Sequence, residues 1–158
     1  MVFIGIGSNL GNRIKNINKA KYLLSLNGIN ILKSSSYYES LSWPDRSKPK
    51  FINIVIQLDT DISVKKILQI SQSIENKLGR KKTYKNAPRT CDIDILSYKN
   101  RLISGDITIP HKRMSKRNFV LIPLFEIAPN FVHPKTNITI KKLIFSLSNK
   151  DITSIKLI

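Results

Sequence analysis

Asp92 and Asp94 stand two residues apart inside Cys91-Asp92-Ile93-Asp94-Ile95-Leu96, a run that is otherwise apolar and rich in β-branched side chains. Alternation of this kind reads as a strand. In a strand the two carboxylates leave the same face, about 6.6 Å apart along the backbone, while Cys91, Ile93 and Ile95 turn the other way into a core. A pair of acids so placed can bridge metal ions. Arg89, just upstream, brings a guanidinium that can clamp a phosphate bidentately. The plainer alternative is an edge strand with solvated aspartates, although an edge more often carries Lys or Thr beside a cationic loop.

The same periodicity argument organises the rest of the chain into one domain, residues 1–158, with no repeat or low-complexity linker dividing it. Met1 to Ile6 reads as a strand with Val2, Ile4 and Ile6 on one face. Gly7-Ser8-Asn9-Leu10-Gly11 turns the chain, and Ile14, Ile17, Ala20, Leu23 and Leu24 recur at helical spacing as far as Asn27-Gly28, with Ser8 or Asn12 as the cap. Ile29 to Tyr38 reads as a second strand and 39–50 as a long loop, a length more often functional than incidental. Phe51 to Asp59 is the clearest strand, with Ile52, Ile54, Ile56 and Leu58 on one face and Phe51, Asn53, Val55 and Gln57 on the other. Val64, Ile67, Leu68, Ser71, Ile74 and Leu78 give the next helix a buried stripe, capped by Asp61 or Ser63 and stopped by Gly79. With the aspartate strand the order becomes β-α-β-β-α-β, which predicts an α+β, ferredoxin-like antiparallel sheet with helices packed on it. Beyond it come a short strand at Ile107 to Ile109, a helix over Leu121 to Ala128 with Pro123 in its first turn, and a helix over Lys141 to Leu147. The tail carries no clear signal.

Composition excludes several function classes. A single cysteine rules out an internal disulfide framework and any multi-cysteine zinc site. No apolar run is long enough to span a bilayer, and the N-terminus lacks the marks of a signal peptide, so a soluble cytoplasmic protein is expected. The formal charge of +17 points toward anionic ligands. Lysine-, isoleucine- and asparagine-rich composition weakens that inference, because much of the charge can be solvated surface. Local clusters weigh more: Arg80-Lys81-Lys82, and His111 followed by four cations within residues 112–117.

Two common phosphate motifs fail. In Gly5-Ile6-Gly7-Ser8-Asn9-Leu10-Gly11 the third glycine falls one residue late for a dinucleotide fingerprint, and no glycine precedes a lysine, so a Walker A loop is absent. Phe51 and Asn53 share a strand face, pairing a flat apolar surface with an amide that both donates and accepts. That combination suits a heteroaromatic ring, or equally a sheet face covered by a loop.

Lys85-Asn86-Ala87-Pro88-Arg89-Thr90-Cys91-Asp92-Ile93-Asp94-Ile95-Leu96 resembles the signature of the 6-hydroxymethyl-7,8-dihydropterin pyrophosphokinase family of folate biosynthesis. Gly5 to Gly11, Phe51-Ile52-Asn53, Gln72 to Glu75, Gly79-Arg80, Ile109-Pro110-His111 and Arg117 to Pro129 agree in order, so the likeness covers nearly the whole chain. The resemblance implies transfer of pyrophosphate from ATP to the pterin hydroxymethyl group, releasing AMP. It implies two Mg²⁺ ions on Asp92 and Asp94, with Arg80 and Arg89 completing the catalytic set. It implies a nucleotide set of Gln72, Lys82, Ile95, Thr108, His111, Lys112 and Arg117. The pterin would lie among Ser40, Trp43, Phe51, Asn53, Asp92 and Phe119, with residues 80–90 as a lid. A monomer acting on small molecules, without nucleic-acid or membrane partners, is the implied working form. The chain departs from the family pattern at Asn86 and Lys112, where many relatives carry aromatic residues. A basic RNA-binding module of the same topology and another metal-dependent phosphoryl or nucleotidyl transferase are the competing readings.

Overall fold

The computed structural model describes residues 1–43, 45–80 and 86–158. Its centre is the alternating strand β4 (Phe51–Asp59), which pairs antiparallel with β1 (Val2–Ser8) on one side and with β2 (Asn30–Ser34) and β3 (Tyr38–Ser40) on the other. Strand β5 (Asp92–Tyr98) adds to the far side of β1, and the short β6 (Lys156–Leu157) adds to β3. The sheet order β5-β1-β4-β3-β6, with β2 also on β4, is the split βαβ arrangement expected of a ferredoxin-like fold.

Helices α1 (Arg13–Leu26) and α2 (Val64–Lys77) begin at caps that the sequence offered, since Asn12 accepts from Lys15 N–H and Ser63 from Lys66 N–H. Their buried residues Ile17, Ala20, Leu24, Ile67 and Ile74 pack on Ile4, Ile6, Ile54, Ile56 and Ile93 to form one core. A second core lies on the opposite face, where Phe3, Val55 and Leu96 meet α3 (Asn118–Ile127) and α4 (Ile140–Phe145). The β1–β5 register shifts between Phe3 and Ile4, a bulge at Leu96 that leaves Leu96 on the α3 side in phase with the aspartates and returns Tyr98 to the α1–α2 side. Helix α3 therefore covers only half of its sheet face. The other half, carrying Gly5, Gly7, Asn53, Asp92 and Asp94, is left open as a cleft.

Four local expectations need correction. The run from Ile29 to Tyr38 is not one strand but β2 and β3, interrupted at its serines. Ser34 and Ser35 hydroxyls donate to the carbonyls of Ser35 and Ser36, and Ser36 N–H donates to the Glu126 carboxylate instead of a ladder partner. Pro123 is not in a first turn, because α3 starts at Asn118 and carries the proline inside it. Ile107 to Ile109 contributes only an isolated bridge, Ile109 to Ile103. The tail is ordered structure: α5 (Asn149–Thr153) starts at Ser148, which accepts from Asp151 N–H, and β6 follows.

Candidate active site

Pairing register builds the floor of the cleft. Gly7 lies between Asp92 and Asn53 across three strands, and Gly5 lies between Asp94 and Val55. The two aspartates thus share the face that alternation gave them, while Ile93 and Ile95 go into the α1–α2 core. The cleft encloses about 240 Å³. A glycine at position 7 is a packing necessity, because a Cβ there would meet Asn53 Oδ1 at 2.9 Å.

Arginines surround the acids. Arg80 Nη1 donates to Asp92 Oδ1 at 2.9 Å, and Arg89 Nη2 donates to Asp92 Oδ2 at 2.6 Å. Arg117 Nη1 donates to Asp94 Oδ2 at 2.9 Å, with His111 Nε2 3.8 Å from the same oxygen. Arg80 also donates to Glu75, whose Oε1 accepts the Ile93 N–H at 2.8 Å. Burial raises the Glu75 carboxyl above its ordinary range despite that backbone donor and the Arg80 charge. Burial also works against the Arg80 cation, but Asp92 and Glu75 outweigh it and hold its pKa above the ordinary arginine value. The His111 pKa is lowered, chiefly by burial, which favours the neutral ring at pH 7. Burial pushes the Cys91 thiol up to about 12, so it is neither a nucleophile nor a ready thiolate ligand.

Aromatic rings lie against the arginines. Phe51 lies under the Arg89 guanidinium, 5.2 Å from the ring centroid, and Phe119 lies under Arg117 at 5.4 Å. Trp43, on the loop between β3 and β4, faces Arg113 at 5.2 Å. Asn53 is buried, and its amide nitrogen donates to Ser40 Oγ at 2.9 Å, which fixes the amide plane and leaves its oxygen toward Gly7. Among the described residues the Nε atoms of Arg89 and Arg117 are buried without a hydrogen-bond partner. A polar cleft holding unspent guanidinium donors suits an anionic ligand with a flat ring at one end.

The structure brings together most of the residues singled out from the sequence. Arg80, Arg89, Asp92, Asp94, His111 and Arg117 line the cleft together with Ser40, Trp43, Phe51, Asn53 and Phe119. Four others stay outside the cleft. Gln72 and Lys112 are exposed, Thr108 is half-buried elsewhere, and the Ile95 side chain is buried in the α1–α2 core. Lys82 lies outside the described residues, as do residues 81–85 of the expected lid. Sequence reasoning passed over Gly5, Gly7 and Glu75, and held Arg113 only as a member of the cationic cluster after His111. Glu75 had a readable signal, since it falls four residues after Ser71 on the buried stripe of α2. The glycines had none beyond their alternation.

A family model described as 7,8-dihydro-6-hydroxymethylpterin-pyrophosphokinase (HPPK) matches residues 3–129. The 2-amino-4-hydroxy-6-hydroxymethyldihydropteridine pyrophosphokinase of Aquifex aeolicus is 39% identical over 134 residues, covering 84% of this chain and 83% of that protein. The folic acid synthesis protein fol1 of Pneumocystis carinii is 40% identical over 152 residues, or 96% of this chain, which spans only 20% of that protein's length. Among solved structures, a Plasmodium falciparum HPPK-DHPS crystallised with pteroate superposes with a TM-score of 0.72 at 14% identity, covering 90% of this chain and 41% of that one, a likeness of fold. Because the model match takes in most of the sequence and a relative of similar length is 39% identical, the chain belongs to the 7,8-dihydro-6-hydroxymethylpterin-pyrophosphokinase family.

Proposed function

We propose that this protein transfers the pyrophosphoryl group of ATP to the hydroxymethyl oxygen of 6-hydroxymethyl-7,8-dihydropterin, giving AMP and the pterin diphosphate in folate biosynthesis. One observation carries the reading: Asp92 and Asp94 enter, from one face of β5, a cleft lined by arginines and by Phe51, Asn53 and Phe119. The attacking oxygen forms a bond to the β-phosphorus, and the bond from that phosphorus to the α–β bridging oxygen breaks. Nothing in the cleft needs to become covalently attached, so positioning and electrostatics supply the acceleration.

Asp92 and Asp94 fit Mg²⁺. The donor set is carboxylate oxygen alone, and among the described residues no group of three or more His, Cys, Asp or Glu could hold a metal. Magnesium needs few protein ligands, because phosphate oxygens and water complete its octahedron. Bound there as a pair, the ions would neutralise charge on the attacking and leaving oxygens.

The protein's own groups supply the rest. Arg80, Arg89 and Arg117 are paired with the two aspartates. Arrival of a polyphosphate with its cations would let each charge exchange partners, arginine to phosphate and aspartate to metal, so no buried charge is stranded. Neutral His111 can donate to a phosphate oxygen on the same wall. Asn53, held by Ser40, would read the pterin edge between Phe51 and Phe119, with Trp43 at the rim. Gln72, Lys82, Ile95, Thr108 and Lys112 remain proposed nucleotide-side residues on the family resemblance. Among the described residues no helix is long and apolar enough to cross a membrane. We infer a cytoplasmic monomer acting in one domain on small molecules, without nucleic-acid or membrane partners.

The test is product analysis. Incubation with ATP, Mg²⁺ and the reduced pterin alcohol should release AMP in step with pterin diphosphate. Release of ADP, or AMP formation indifferent to the pterin, would overturn the reading.

A further inference from the structure

Of the cleft's four arginines, three already hold carboxylates: Arg80 and Arg89 on Asp92, and Arg117 on Asp94. The fourth, Arg113, lines the same cleft and forms no ion pair with a carboxylate among the described residues. Its guanidinium rests over the Trp43 indole, 5.2 Å from the ring centroid. Its backbone is anchored, because Arg113 N–H donates to His111 Nδ1 at 3.2 Å and the turn Met114–Lys116 follows at once. The long side chain is therefore the movable part.

The two possible partners of that guanidinium are unequal. An exposed cation over an aromatic face is a weak attachment, Trp43 being 48% exposed. A charge-assisted, forked contact to phosphate oxygens is stronger and directional. The other three arginines must give up an aspartate to reach phosphate, whereas Arg113 gives up only the indole.

We propose that Arg113 is a phosphate contact for the nucleotide, held in reserve on Trp43, and that its transfer to the polyphosphate changes the surroundings of Trp43. The inference rests on the ATP-binding reading above. It adds a residue to the phosphate wall and links nucleotide occupancy to an aromatic proposed to border the pterin.

Trp43 is the protein's single tryptophan, so its emission reports, without labelling, on this contact and on the more distant Arg117, 6.0 Å from the same ring centroid. Wild type, Arg113→Gln and Arg113→Lys are titrated with α,β-methylene-ATP and Mg²⁺ in the absence of pterin, with affinity read by calorimetry and Trp43 by fluorescence. The wild-type emission should change saturably. Arg113→Gln should bind the analogue about ten- to a hundredfold more weakly, the loss expected for one hydrogen bond to a charged group. Its Trp43 emission should respond much less than wild type, the remainder coming from Arg117. Arg113→Lys, which keeps the charge and loses the fork, should fall between. Unchanged affinity in Arg113→Gln overturns the proposal, as does a wild-type Trp43 emission unmoved by saturating analogue. Because Arg113 is exposed, unfolding midpoints of the variants should match wild type. Failure of wild type to form AMP would sink the pyrophosphokinase reading, while the analogue titration still decides the role of Arg113.

Discussion

Gly7 of β1 and Asn53 of β4 approach so closely that a methyl group on Gly7 would lie 2.9 Å from Asn53 Oδ1 and 3.3 Å from Phe51 Cδ1. Both neighbours line the cleft, so Gly7→Ala must push the amide off Ser40 or the ring out of place. The expected cost is about 1 to 3 kcal/mol of overpacking, with a raised KM for the pterin and little change for ATP. Gly5 is the internal control, because a Cβ there meets Leu96 at 3.6 Å, an ordinary contact. Gly5→Ala should fold as stably as wild type, and equal pterin KM values for Gly7→Ala and wild type would refute the argument.

Asp94 is a third exposed and is held by Arg117 and, more distantly, His111. Asp94→Ala should lower turnover on the order of a hundredfold or more, as loss of one preorganised electrostatic group does elsewhere. Arg117 still stacks over Phe119, so the thermal unfolding midpoint should stay near that of wild type. Retained turnover would remove Asp94 from the proposed metal pair.

What could be read from the sequence was local. The alternation of Phe51 to Asp59 appears in the structure at both ends, and the aspartate strand presents its acids on one face because period-two geometry leaves no other choice. The caps Asn12 and Ser63 act within three residues of themselves. Features that depend on distant partners were hidden. The break between β2 and β3 is fixed by Val55 and Glu126, the latter ninety residues from Ser36. The Glu75–Arg80–Asp92 chain exists only once α2 docks beside β5. Helix α5 did have a signal, Ser148 placed three residues before Asp151, whereas the two residues of β6 offer none.

Glu75 ties the floor of the site to its arginines. Its carboxylate accepts the Ile93 N–H, which lies between the two aspartates, and receives Arg80, which in turn donates to Asp92. Glu75→Ala should destabilise the protein by about 1 to 3 kcal/mol, the cost of leaving a buried backbone donor unsatisfied. Glu75→Gln keeps an acceptor for Ile93, so it should recover most of the stability while leaving turnover reduced, since Arg80 loses a counter-charge. Urea unfolding separates the two variants. Equal stabilities would show that the backbone contact contributes nothing.

His133 gives the fold a pH dependence remote from the cleft. It is buried at 7% exposure, and its Nδ1 accepts from the backbone N–H groups of Lys135 and Thr136, each at 3.3 Å. Burial, assisted by the Lys135 charge, lowers its pKa below the ordinary 6.5. The unfolded chain then binds the proton more readily than the folded one, so stability is full above that value and is lost as pH falls from 6.5 toward the depressed pKa. Protonation also removes the acceptor that both backbone groups use. Urea midpoints measured at about pH 8 and about pH 5 should therefore differ in favour of the higher pH. His133→Asn places an amide oxygen near the Nδ1 position and cannot titrate, so its midpoint should favour the higher pH less, the remaining slope combining His111, whose pKa is also lowered, with the opposing contribution of Glu75, whose pKa is raised. An identical slope in wild type and His133→Asn would show that the buried ring at position 133 does not set the acid limit of the fold.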